Sequence, residues 1–155
     1  MLEIILLIYI FIRAIACREY GYISVSVLSL LYFVFTAFLQ NPDNLEYIES
    51  MAVIEKILLV ALSAVLVYCA KPGKDGKIHA LPAILAGIAC VARFLRSGVF
   101  DWFTDKAGQP GADVAAISNS LLSCYNLMNV IVFGCLFFML LCVAWQLSKK
   151  NILQV

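Results

Sequence analysis

Glu55, Arg93 and Arg96 are the residues best placed to do chemistry in this chain, because each stands inside a run that is otherwise apolar. A bare charge at depth in hydrocarbon costs about 2.5–3.5 kcal/mol on insertion scales, so such a group must pair or reach water. Glu55 sits about one turn into the apolar run at 51–70, and Arg93 and Arg96 lie near the far end of the run at 79–100. If those runs are antiparallel helices, the carboxylate comes to the depth of the guanidiniums. An ion pair between Glu55 and Arg93 or Arg96 is expected, within or between subunits. Arg93 and Arg96, at i and i+3, also share a helix face. Two planar guanidiniums on one face match the oxygens of a carboxylate or a phosphate. The same residues thus support two readings. One is an anion site, gate or sensor; the other is a pair that only fixes helix register, with Arg96 reaching headgroups along its own stem.

A second polar set opens the last apolar run, where Asn119, Ser120, Ser123, Asn126 and Asn129 recur at spacings of three and four. That spacing gathers them on one broad helix face. In lipid, buried amides bond to other helices for about 0.6–2 kcal/mol each, or line a hydrated pore. Small residues mark a third feature. The run at 79–100 carries Ala83, Ala86, Gly87, Ala89, Cys90 and Ala92, with Ala83 and Gly87 spaced as a small-xxx-small pair, and Gly134 follows in the last run. Helices in lipid associate through close packing, so Ala83, Gly87 and Gly134 are candidate packing positions. Lys71, Lys74 and Lys77 form a basic loop able to dock an acidic cytoplasmic partner or anionic headgroups, although charge sorting alone explains it.

Catalytic and ligating patterns are missing. His79 is the only histidine, and no GxSxG, HExxH or phosphate-loop spacing occurs. The six cysteines show neither CxxC nor metal-ligand spacing, and Cys90, Cys135 and Cys142 lie deep in apolar runs. A non-enzymatic protein without metal or cofactor is the expectation. Eleven basic against ten acidic residues give a net charge of +1, too little to attract nucleic acid directly.

The elements that must position these residues follow from composition. Hydrophobic residues make up 64% of the 155-residue chain and charged ones 14%, with a mean hydropathy of +0.97. A soluble domain carries about 25% charged residues to face water, so most of this surface must face lipid. Five apolar helices are expected, at about 2–17, 20–40, 51–70, 79–100 and 121–147, forming one all-α polytopic membrane bundle over the whole chain. Crossing a hydrocarbon core of about 30 Å takes roughly 20 residues. The last four runs suffice, and the first is a short span or an interfacial helix. Gly21 is expected to turn the first break, and the longest connection is expected over 101–119.

Basic residues in short loops set orientation. Asp43, Glu46 and Glu49 place the loop at 41–50 outside, and the three-lysine loop stays cytoplasmic. Asp101, Asp105 and Asp113 favour the outside, while Lys149 and Lys150 keep the C-terminus in. A bacterial inner membrane is the expected location, and assembly with itself or with a cytoplasmic effector the expected mode of action. An oligomeric channel or holin-like pore lined by the polar face of the last helix is the alternative. In size and span number alone, without a shared motif, the chain resembles small bacterial multi-span immunity proteins and membrane components of phage-defence systems. That resemblance implies a defence role.

Overall fold

The computed structural model describes residues 2–39, 48–70 and 80–149. Lys71, Lys74, Lys77, His79, Lys150 and the acidic loop residues Asp43 and Glu46 lie outside the described residues, as does the side chain of Glu49. The described chain is all helical: α1 (Leu2–Ala16), α2 (Tyr20–Leu39), α3 (Ile48–Cys69), α4 (Leu81–Ala107) and α5 (Val114–Ser148). Four of these, α2 to α5, are long and apolar enough to cross a membrane. With 15 residues, α1 rises only about 22 Å and falls short of a span.

Each helix packs against the next in chain order, and α1 closes the ring by packing on α5. The core is built from one stripe of each: Leu7, Ile10 and Ala14 on α1, Val25 and Tyr32 on α2, Leu59, Leu62 and Leu66 on α3, Ala86, Ala89 and Ala92 on α4, and Leu136 to Leu147 on α5. Burial is the exception, however. Between 22% and 33% of each spanning stretch is buried within the protein. Most of the apolar surface therefore faces outward, the reverse of a water-soluble bundle.

Two expectations about the connections change. Gly21 is not the turning residue: it lies inside α2, and Arg18 takes the left-handed backbone conformation at φ 55°. What Gly21 supplies is clearance, because a Cβ there would come within 2.5 Å of Cys69 Sγ. The connection expected over 101–119 shrinks to residues 108–113, since α4 continues to Ala107 and α5 begins at Val114. The breakers Gly108, Pro110 and Gly111 are confined to that stretch, and the Asp113 side chain caps α5 by accepting from the Ala116 amide at 3.1 Å. Charges such as Asp101 and Asp105 lower hydropathy without breaking a helix, which is why the hydropathy boundary fell short of the helix end.

The small residues divide. Ala86 and Ala89 are fully buried where α4 meets its neighbours, and Ala83 packs partly against the core. Gly87 and Gly134 do not mediate close packing within the protomer: a Cβ at either would meet nothing within 4 Å. The face of α4 that closes the bundle runs through Pro82, Ala86, Ala89 and Arg93, one stripe of spacing three and four.

At one end of the ring α1 acts as a clip. Arg13 Nη2 donates to the carbonyls of Leu147 at 3.1 Å and Ser148 at 3.4 Å. These are carbonyls that the end of α5 leaves without helical partners, and the cation also complements the helix dipole there. Nearby, Tyr22 Oη donates to Gln146 Oε1 at 2.8 Å. Toward the other end, no residue from 94 to 131 is buried, so the α4–α5 pair leaves the bundle as a two-helix extension.

Candidate intramembrane anion site

A cavity of about 190 Å³ lies where the extension leaves the bundle, with walls from four helices. Tyr32 and Thr36 come from α2, Ala52 and Glu55 from α3, Arg93 and Arg96 from α4, and Tyr125, Asn129, Val132 and Phe133 from α5. Helix α1 contributes nothing to it. The residues meet because α3 and α4 run antiparallel, which brings the start of one to the level of the later turns of the other.

Glu55 and Arg93 form a buried ion pair, Arg93 Nη2 donating to Glu55 Oε2. Their exposures are 2% and 5%, so neither charge is shared with solvent. The Thr36 hydroxyl lies 3.3 Å from Glu55 Oε1 and 2.9 Å from its own helix carbonyl, Tyr32 O, and shares its proton between them. Lys56 takes no part, its Nζ standing 5.6 Å from the centre of the Phe94 ring.

Arg96 has a different environment. It donates through Nη1 to Asn129 Oδ1, and its guanidinium lies 4.1 Å from the centre of the Tyr125 ring. Both partners are neutral, and no carboxylate pairs with Arg96 among the described residues. Among the described residues, Arg93 and Arg96 against Glu55 leave the cavity one positive charge in surplus. Arg93 Nε is also buried with no hydrogen-bond partner. A guanidinium presents five donors, so the cavity holds donors in excess of acceptors as well as charge in excess of counter-charge. A desolvated cation above an aromatic face gains about 0.5–2 kcal/mol, which offsets only part of the cost of its depth.

The other polar residues of α5 do not join the site. Asn119, Ser123 and Asn126 are exposed on the extension, and the Ser123 hydroxyl donates back to Asn119 O at 2.9 Å. Of Asn119, Ser123, Asn126 and Asn129, only Asn129 reaches another helix by a side-chain hydrogen bond among the described residues. Sequence reasoning missed Tyr32, Thr36 and Tyr125. A usable signal was present, since Thr36 follows Tyr32 and Asn129 follows Tyr125 by four residues, so each pair shares a helix face.

Cys17, Cys69, Cys90, Cys124, Cys135 and Cys142 are all free thiols. Among the described residues no group of three His, Cys, Asp or Glu side chains is arranged to hold a metal ion. No protein-family model matches the chain, and no curated protein or solved structure is significantly similar to it. The geometry of the cavity is therefore what any functional reading must rest on.

Proposed function

We propose that this chain is an integral membrane protein that acts by binding rather than by catalysis. Its bundle holds a cavity that receives an acidic group, a carboxylate or a phosphate, on Arg96 and the free edge of Arg93. The observation that carries the reading is the surplus among the described residues: one guanidinium without a counter-charge and one buried guanidinium nitrogen without an acceptor, both on the same cavity wall. A register-setting pair needs Glu55 and Arg93 but gives no reason for Arg96 to turn inward beside them.

Outward-facing apolar surface on four long helices supports the membrane setting. The end bearing Arg13, Arg18 and Lys149 is the cytoplasmic one by the positive-inside rule, and the end bearing Asp101, Asp105 and Asp113 faces out. In a bacterium that membrane is the inner one. Trp102 and Trp145, both more than half exposed, then sit at opposite interfaces, where aromatic rings anchor spans. The role that fits is a sensor whose ligand changes assembly with further copies or with a cytoplasmic partner.

Thermal unfolding of the purified protein in a neutral detergent, against a panel of water-soluble and chain-bearing acids, tests the site. At least one acid is expected to raise the midpoint of the wild type and not that of Arg96→Gln. A flat response across the panel would remove the reading. For topology, a cysteine placed at Ala112 in a cysteine-depleted background should label from outside intact cells, and one at Lys149 should not.

A second reading, an oligomeric channel, is favoured by one observation: Asn119, Ser123 and Asn126 are exposed and, among the described residues, make no side-chain hydrogen bond to another helix. Conductance in planar bilayers that changes on Asn126→Leu would establish it.

A further inference from the structure

The route into the cavity identifies the ligand more closely, and this step rests on the anion reading just given. Helices α2 and α5 each pack along α1 and meet each other little, so α1 is what fills the gap between them. But α1 is short. Arg13, near its C-terminal end, reaches Leu147 and Ser148, and the 11 residues before it on α1 rise about 17 Å. The same rise along α5 from Leu147 ends near residue 136, whereas the cavity is lined by Tyr125, Asn129, Val132 and Phe133. Among the described residues nothing therefore fills the gap between α2 and α5 at the level of the cavity, and in the membrane setting proposed above that gap opens sideways to the bilayer.

The walls have the matching character. Arg96, Asn129 and Thr36 supply polar groups, and Ala52, Val132 and Phe133 supply apolar ones. The volume of about 190 Å³ far exceeds the ~10–15 Å³ that one water needs. Depth sets what must hold the head. Arg93 and Arg96 precede Trp102 by nine and six residues, about 9–14 Å along α4, so in a core of about 30 Å they stand below the outer interface, and a head bound there is drawn beneath its neighbours by the charge of the site.

We propose that the acidic group is the head of an anionic amphiphile, a phosphate or carboxylate on an acyl or alkyl chain, which slides from the bilayer between α2 and α5 above the end of α1. The head takes the free donors of Arg96 and Arg93, and the chain stays in the gap among lipid tails.

Full-length protein in dodecyl maltoside can be titrated with dodecyl phosphate and, separately, with inorganic phosphate, reading binding by native mass spectrometry and by the unfolding midpoint. The detergent itself supplies the neutral control, because it carries the same chain in excess. Dodecyl phosphate is expected to bind saturably and raise the midpoint, and inorganic phosphate is expected to do neither. Arg96→Gln should weaken dodecyl phosphate by roughly tenfold or more, the worth of one charge-assisted hydrogen bond. Asn129→Ala, which leaves both arginines in place, should weaken it by a smaller factor and serves if Arg96→Gln does not fold. Equal binding of both phosphates would overturn the sideways route and leave the anion site standing. No binding of either would overturn both. Binding of dodecyl phosphate that neither substitution weakens would place it elsewhere and overturn the proposal.

Discussion

Removing Arg93 alone should be far more damaging than removing Arg93 and Glu55 together. Glu55 is 2% exposed, and its partners are Arg93 on Oε2 and the half-engaged hydroxyl of Thr36 on Oε1. Arg93→Met fills similar space but leaves that carboxylate with one shared hydroxyl. Breaking a buried pair in this way costs about 3–5 kcal/mol, whereas replacing both partners by apolar groups is often close to neutral. Against a total stability of about 5–15 kcal/mol, the single substitution removes from about a fifth of the fold's margin to all of it. It shifts the folding equilibrium by about a hundredfold to several thousandfold. Glu55→Leu with Arg93→Met should return most of that loss. Reversible unfolding in mixed micelles of dodecyl maltoside and sodium dodecyl sulfate, followed by circular dichroism, gives all four corners of the cycle. If the double variant is as unstable as the sum of the singles, the pair is not the closed unit described above and the charge accounting of the cavity fails.

Arg96 should behave in the opposite way. Arg96→Met loses a cation–π contact and a hydrogen bond but also removes a charge with no counter-ion, so its unfolding free energy should stay within about 1 kcal/mol of wild type; a loss as large as that of Arg93→Met would make Arg96 structural. Gly21→Ala should destabilise by about 1–3 kcal/mol, because the new Cβ meets Cys69 Sγ at 2.5 Å. Adding Cys69→Ala should restore most of it, and an unfolding titration of the three variants decides the point. Gly87→Ala and Gly134→Ala meet open space in the protomer and should gain up to about 1 kcal/mol from helix propensity. If either instead lowers the oligomer fraction in native mass spectrometry, that glycine lies where two copies touch.

Much of this was legible in the sequence because lipid makes polar residues conspicuous. Glu55, Arg93 and Arg96 stand out as charges in apolar runs, and matching their depths across an antiparallel turn leads to a pairing of Glu55 with Arg93 or Arg96. Which arginine pairs, and what the other does, depends on which side of α4 faces α5. When nearly every position is apolar, helical periodicity carries almost no information about facing. Tyr125 illustrates the limit: as an aromatic it looks like any other apolar or interfacial residue until α4 sets Arg96 against its ring. The extent of α4 and α5 was obscured for a related reason. Hydropathy reports where a helix would leave the membrane, whereas capping and backbone breakers report where it ends, and at 101–107 and 114–120 the two criteria part company.

The distinction between Arg93 and Arg96 is also what separates structure from function in this bundle. A buried ion pair is weak evidence for function, since apolar residues of similar size would hold the helices as well. An arginine on the same wall whose only partners among the described residues are an amide and a phenol ring is different in kind. Its cost is not recovered within the fold, and substituting methionine would relieve it without loss of packing volume. Residues that lower stability while improving nothing local are characteristic of binding sites, where the missing partner arrives from outside the chain. On that basis the separation of the two arginines in stability measurements, large for Arg93 and near zero for Arg96, bears on function before any ligand has been identified. Equal sensitivity at both positions would make them one structural network, and the cavity between them would need no occupant.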